Sequence, residues 1–434
     1  MVVSEILDKK RNGGSFSLEE LKFILTQFDA AKLSYNEMIE FMTLFNQAYN
    51  EEECFNLAQI LADSGDRLNL SENVGFCYDK HSVGGVSDAT SFIYMSVLAS
   101  LNQKVVKSTA SNFASFNNTL TRFSVFKGFK PCANIKLINK AIEKCGVGVY
   151  ENKLKLAPLD LKLYLYAKRF NLERGIPFIA ASVMAKKMAV NPSVLIVDVK
   201  CGEGGLVHSL ADAERLAGII VGIGKRANIK TAVVITNLDQ PVSAAVGSRV
   251  EVDEVIRMLS YGGTAHVSNL LVLSREMVVV ALMLSGVAGS RSEANEMFDS
   301  VVESGAALEQ FYKIVSAHGG SFSSFIRISD ITSGYATTYL TAEDDGYIHN
   351  VDTYAVNVAG FKLMGSGSKF NDDNAGLVLM VREGDRVHEG DKLVRIFYSF
   401  DNPNLLPARK MLKSAISVKK FRPDTHSLFY KVVI

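Results

Sequence analysis

VLIVDVKCGEGG, residues 194–205, is the stretch on which the fold turns. Its first six residues, Val194 to Val199, form an apolar run interrupted only by Asp198. A run of that length without polar alternation is the kind buried on both faces of a parallel sheet. A glycine-rich turn follows, and then Ser209 and Asp212 cap a helix whose apolar stripe runs through Ala213, Leu216, Ala217, Ile220 and Val221. Ala232 to Thr236 reads as the next strand. Strand, helix and strand in this order are the repeating unit of an α/β sheet.

Working upstream, the same alternation recurs as a strand at Val74 to Tyr78, a helix at Asp88 to Leu101 and a strand at Lys104 to Lys107. Before Ser71 the texture changes. Ser17 and Glu20 make a capping box, apolar residues recur at Leu21, Ile24, Leu25 and Phe28, and further amphipathic helices are expected at 35–49 and 52–62. Leu161 to Ala189 is assigned to the same helical unit. The last hundred residues carry short strands at Gly346 to Ile348, Leu377 to Val381 and Leu393 to Phe397, separated by turns. The expected fold class is α/β plus all-α, with a carboxyl-terminal α+β unit. The expected domains are a small helical domain (1–68 with 158–190), a central parallel-sheet α/β domain (71–155 with 191–335) and an α+β domain (336–434).

The chain has 434 residues and 48% apolar composition, enough for several buried cores. Its 47 basic and 46 acidic residues leave a formal charge of +1, so no global field draws it to nucleic acid or an anionic membrane. Any anion site must be local. The five cysteines are scattered and never form a C-x-x-C pair, and the seven histidines show no ligand spacing, so neither a disulfide framework nor a structural metal is expected. The amino terminus mixes charges without an apolar core, and no stretch approaches the about 18 apolar residues of a membrane helix, so a cytoplasmic location is expected. GDRVHEGDKL, residues 384–393, is similar to a carrier-domain hairpin but lacks a flanking attachment lysine motif, and reads as a packing device.

The segment with the most chemistry is DKHSVGGVSDATS, Asp79 to Ser91. It is expected to follow a strand and precede a helix. Gly84 and Gly85 allow close backbone approach, the helix start offers free N–H groups, and Lys80, Ser82 and Ser91 add side-chain donors. Such a set suits a phosphate group. Lys80 precedes the glycines, so this is not a Walker A loop.

This segment resembles the motif of the thymidine and pyrimidine nucleoside phosphorylase family, and four further stretches are similar in order: ILDKKRNGGSFSLEEL at 6–21, IPFIAASVMAKKMA at 176–189, VDVKCGEGG at 197–205 and QPVSAAVGSRVEVDE at 240–254. The resemblance implies a pentosyltransferase that cleaves thymidine, uridine or deoxyuridine with inorganic phosphate as co-substrate and no organic cofactor. It implies phosphate ligands at Lys80, Ser82, Ser91, Thr109 and Thr119. His81 would assist departure of the base, with an imidazole titrating near neutrality as general acid. Ser182 and Lys186, four apart on one helix face, would hold the base and complete the catalytic group, with Tyr164 and Phe113 lining the base site. A monovalent cation, potassium, would be held at Ser87, Ala89, Val242, Ala245 and Glu254. A homodimer through the helical units and a role in nucleoside salvage are further implications.

Two stretches depart from the family pattern. Where the family has L-Y-x-x-R-D, with the arginine on a keto oxygen of the base, this chain has Leu163 to Lys168 with Ala167 in the arginine's place. Lys168 is a candidate substitute, whereas Arg169 is turned about 200° away on a helix. Where the family has S-G-R-x-x-x-H-T-G-G-T-x-D, residues 108–123 read STASNFASFNNTLTRF. Ser111 and Ser115 replace arginine and histidine, and Asn117 and Asn118 replace the glycines, a change that left-handed asparagine backbone would accommodate. These departures keep open a re-specialised or non-catalytic paralogue that binds a nucleotide or phosphorylated ligand. A phosphoribosyltransferase is a further alternative.

Overall fold

The computed structural model describes residues 1–84, 86, 89–109, 118–152, 156–260, 268–325, 327, 330, 334–365, 370–424 and 427–434. Helices α1 (Val3–Arg11), α2 (Leu18–Asp29), α3 (Tyr35–Gln47), α4 (Glu51–Asp63) and the short α5 (Leu70–Asn73) open the chain. Then come β1 (Tyr78–Val83), α6 (Thr90–Ser100), β2 (Val105–Thr109), α7 (Thr119–Phe123), α8 (Ile135–Cys145) and β3 (Val147–Glu151). Two helices, α9 (Pro158–Arg169) and α10 (Ile176–Val190), precede β4 (Val194–Cys201), α11 (Leu210–Arg226) and β5 (Lys230–Asn237). The middle ends with β6 (Ala245–Val246), α12 (Ser248–Leu259), α13 (Leu270–Ser285), α14 (Arg291–Glu303) and α15 (Ala306–Ala317).

The carboxyl-terminal elements are β7 (Tyr335–Thr341), β8 (Gly346–Val351), α16 (Thr353–Leu363), β9 (Gly376–Leu379), β10 (Arg386–Val387), β11 (Lys392–Ser399), α17 (Leu405–Ala415), β12 (Ile416–Lys419) and β13 (Phe429–Val433). Their strands other than β13, together with β6, form two small antiparallel sheets, ordered β10-β8-β12 and β6-β9-β11-β7. The GDRVHEGDKL hairpin packs through Val387 and Leu393, 2% and 4% exposed.

The main sheet has the order β13-β5-β4-β1-β2-β3 and is parallel except for β13, which returns from the chain's end to pair antiparallel with β5. From β1 the chain winds outward through β2 to β3, then starts again on the other side with β4 and β5. The order therefore reverses between β1 and β4. In open α/β sheets the crevice beyond the carboxyl ends of strands at such a reversal is where ligands bind.

Local reasons match these elements. All eight residues of β4 are buried, as an apolar run without polar alternation implies, and Asp198 and Lys200 are buried with it. Ser17 and Glu20 form the expected capping box on α2, and Ser209 Oγ accepts from the Asp212 N–H on α11. The alternation of β4 sorts side chains by face: Val194 and Ile196 join the core under α6 and α13, while Leu195, Val197 and Val199 join the core shared by α10, α11 and the amino-terminal helices. One expectation needs correction. The strand placed at 74–78 begins at Tyr78 and runs to Val83, so Lys80, His81 and Ser82 lie on the strand and not after it. Lys80 and Ser82 bond to each other and Asp79 to Lys187, which offsets the low strand propensity of Asp79 and Lys80.

Candidate active site

A strand throws successive side chains to opposite faces, and β1 uses this to divide its polar residues. Lys80 and Ser82 face α6. The Lys80 Nζ, 1% exposed, donates to Ser82 Oγ at 2.5 Å and to Thr90 Oγ1 at 2.6 Å at the start of that helix. Ser82 itself is exposed, and Ser91, next to Thr90, is buried. Gly84 has φ +64°, and a Cβ there would meet the Leu206 side chain at 2.7 Å, so only glycine lets the strand turn here. Gly85, Ser87 and Asp88 lie outside the described residues. The helix begins at Thr90 with Ala89 as its cap, two residues later than the sequence suggested.

Asp79 and His81 take the opposite face, toward α10. Asp79 Oδ2 accepts from Lys187 Nζ at 2.6 Å, while its Oδ1 accepts from the Lys80 N–H at 2.7 Å. One residue back on α10, Lys186 Nζ donates to Asp160 Oδ2 at 2.6 Å and to Ser182 Oγ at 3.0 Å. Ser182 and Lys186 thus share a helix face as their spacing predicts, and both are half-buried. Tyr164, one turn beyond Asp160 on α9, is half-buried. Burial, with the charges of Glu173 and Asp160, pushes its phenol above the ordinary value.

His81 lies between the two sets. Burial, together with the positive charges of Lys187, Lys107, Lys186 and Lys80, holds its imidazole well below the ordinary value. An imidazole titrating near neutrality was expected, and burial, reinforced by the lysines, is the reason it does not: in this state the ring is neutral at pH 7. A neutral ring retains one N–H donor.

Thr109 ends β2, and Thr119 opens α7 with 7% exposure. The described hydrogen bonds do not join either to the Lys80 group. Asn118 is the N-cap of α7: its Oδ1 accepts from the N–H groups of Leu120 at 2.8 Å and Thr121 at 3.1 Å. Its φ is −116°, so the left-handed explanation for this asparagine is wrong and capping replaces it. Ser111, Phe113, Ser115 and Asn117 lie outside the described residues. Ala167 is 3% exposed within the helical core. Lys168 is exposed, and the Arg169 guanidinium lies over the rings of Tyr35 and Phe170.

Among the described residues expected to hold a cation, Glu254 fits one poorly. Glu254, 1% exposed, accepts from Ser243 Oγ at 2.8 Å and from the N–H groups of Ala244 at 2.9 Å and Ala245 at 3.4 Å, and Ser268 also bonds to it. These donors fill the roughly four lone-pair sites of a carboxylate. Burial also pushes Glu254 above the usual carboxylate value. The carbonyls of Ala89 and Val242 accept from Phe92 and Asn269.

Asp198 and Lys200 carry no role that the sequence pattern alone assigns. They are two charged residues two apart in an otherwise apolar buried strand, and so they point to one face, where Asp198 sits against Lys80 and Ser82. Asp79, Asp160 and Lys187 were missed because their partners come from distant parts of the chain.

Residues 75–308 match the family described as the glycosyl transferase family, a/b domain. The pyrimidine-nucleoside phosphorylase of Staphylococcus haemolyticus is 30% identical over 441 residues, covering 100% of both chains. That of Geobacillus stearothermophilus is 32% identical over 92% of both chains. A solved structure of anthranilate phosphoribosyltransferase from Thermus thermophilus matches 72% of this chain and 99% of its own, with a TM-score of 0.57 and 14% identity, a likeness of fold alone. The chain belongs to the pyrimidine-nucleoside phosphorylase family of pentosyltransferases, as a divergent member.

Proposed function

We propose that the chain splits pyrimidine nucleosides with inorganic phosphate, giving the free base and a pentose 1-phosphate. One observation carries this reading: strand β1 turns Lys80 and Ser82, donors suited to phosphate, to one face, and His81 to the other, toward the helix that carries Ser182 and Lys186, donors suited to a base. Phosphate is held by Lys80, Ser82, Ser91, Thr109 and Thr119. The base, uracil or thymine, lies against Ser182, Lys186 and Tyr164, and Phe113 belongs to the same group. A phosphate oxygen forms the bond to C1′ as the C1′–N1 bond breaks. The electron pair passes into the pyrimidine ring and its keto oxygens, where Lys186, Ser182 and the His81 N–H meet it.

Burial keeps His81 neutral, and the lysines that add to it specify an order. A bound phosphate dianion offsets their charge and raises the imidazole's proton affinity, so His81 becomes a competent acid only once phosphate is in place. Ala167 supplies no donor to the base, which leaves recognition to Ser182 and Lys186 and loosens discrimination at one keto position. Potassium has no part in the proposed chemistry, because the donors on Glu254 would have to move aside for it. A cytoplasmic role in nucleoside salvage is part of the proposal; no described helix is long and apolar enough to cross a membrane. A homodimer through the helical units is part of the proposal, supported by the exposed apolar residues Leu18, Tyr35 and Leu165. The test is a panel of uridine, thymidine, deoxyuridine and cytidine incubated with and without phosphate. Base release that requires phosphate is expected, and release at the same rate without it overturns the reading.

A further inference from the structure

Strand β4 pairs with β1 in a register that sets Asp198 beside Ser82. Asp198 and Lys200 are both 0% exposed, and both lie on the face of the sheet that carries Lys80. Asp198 is the hub of this group. Thr236 Oγ1 donates to its Oδ1 at 2.6 Å. Three groups address the other oxygen: Lys200 Nζ at 2.7 Å, Ser82 Oγ at 3.4 Å and Lys80 Nζ at 3.7 Å. Two lysines thus compete for one carboxylate oxygen, and Lys200 holds the shorter contact. In a water-poor site the sign of this competition matters, because a carboxylate drawn onto Lys80 would cancel its charge and repel an incoming oxyanion.

We infer that Lys200 is a positioning residue for phosphate, holding the Asp198 carboxylate so that the Lys80 ammonium and the Ser82 hydroxyl stay available to the anion. The inference rests on the reading that Lys80 and Ser82 take phosphate. Lys200 acts through Asp198 and touches no substrate. When phosphate enters, the 3.4 Å contact from Ser82 to Asp198 is the weakest hydrogen bond in the group and yields first, while Thr236 and Lys200 keep the carboxylate in place.

The test is calorimetric binding of inorganic phosphate to the full chain, alongside KM values for phosphate and uridine. Lys200→Met is expected to weaken phosphate binding about tenfold or more and to leave the KM for uridine within about twofold. Asp198→Asn, which removes the competing charge, is expected to bind phosphate at least as tightly as the unaltered chain. The double variant, Asp198→Asn with Lys200→Met, is expected to recover affinity to within about threefold of the unaltered chain, since the two charges are removed together. A Lys200→Met chain that binds phosphate normally overturns the inference, as does a double variant no better than Lys200→Met, which would mark a packing role. Should Lys200→Met fail to fold, Asp198→Asn decides, and a loss of phosphate affinity there overturns it. Lys80→Ala separates the underlying reading: if that variant binds phosphate as the unaltered chain does, the phosphate site itself is misassigned and the role of Lys200 falls with it.

Discussion

Lys187 on α10 is bonded through Nζ to Asp79 Oδ2 on β1 at 2.6 Å, with side-chain exposures of 2% and 0%. This pair ties the helix that carries Ser182 and Lys186 to the strand that carries Lys80, His81 and Ser82. Removing one partner leaves the other charge buried and alone, so Lys187→Met or Asp79→Asn should each cost about 3–5 kcal/mol of stability. Removing both charges together should cost less than either single change. Urea unfolding followed by circular dichroism measures this, and a single-variant cost below about 1 kcal/mol would show that the pair does not join the two elements.

His81 yields a prediction about proton affinity. Without phosphate, its burial among four lysines holds the titration midpoint below the ordinary histidine value. Adding phosphate should raise the midpoint, because the dianion offsets those charges. Nuclear magnetic resonance of the imidazole ring protons, assigned with His81→Asn, reads both midpoints. An unchanged midpoint at saturating phosphate would remove the ordered proton transfer. His81→Asn itself should lower kcat about 100-fold while leaving the KM for phosphate near its original value.

How far the sequence reaches is clear from particular residues. VLIVDV announced a buried parallel strand because burial on both faces leaves no polar alternation to misread. Ser17 with Glu20 and Ser209 with Asp212 were legible because their partners lie three residues away. Ser182 and Lys186 were legible for the same reason, one helical turn apart. The ion pairs were not: Asp79 and Lys187 are 108 residues apart, Lys186 and Asp160 are 26 apart, and only the fold brings them together. The strand through DKHSV was missed because its polar residues are stabilised by those distant partners. The apparent lesion at Asn118 was judged by backbone tolerance, whereas its side chain caps the next helix.

A second histidine yields a prediction about acid stability. His318, 5% exposed, has Nδ1 2.8 Å from the Ile314 carbonyl, and its Nε2 accepts from the Val149 N–H at 3.0 Å. The ring must be neutral with the proton on Nδ1, and burial holds its pKa below the ordinary value. The unfolded chain therefore binds this proton more readily than the folded one. The stabilising contribution is complete above about pH 6.5 and declines as pH falls from there toward the lowered folded value. Unfolding midpoints measured from pH 8 to pH 5 should fall more steeply for the unaltered chain than for His318→Gln. Parallel curves would show that this ring does not carry the acid response.

Asn118 offers a test of the phosphate role proposed for Thr119. It supplies the acceptor that satisfies two N–H groups at the start of α7, the helix whose first residue is Thr119. Asn118→Ala should cost about 1 kcal/mol of stability through the lost cap. Farther from that cap, the Arg122 guanidinium is bonded to Glu251 on α12 at 2.5 Å with both side chains buried, so the frayed end is the Thr119 end. The KM for phosphate should therefore rise in Asn118→Ala while the KM for nucleoside stays unchanged, and Asn118→Ser, which retains a capping oxygen, should restore most of the affinity. Equal increases in both constants would mean that Thr119 does not serve the phosphate.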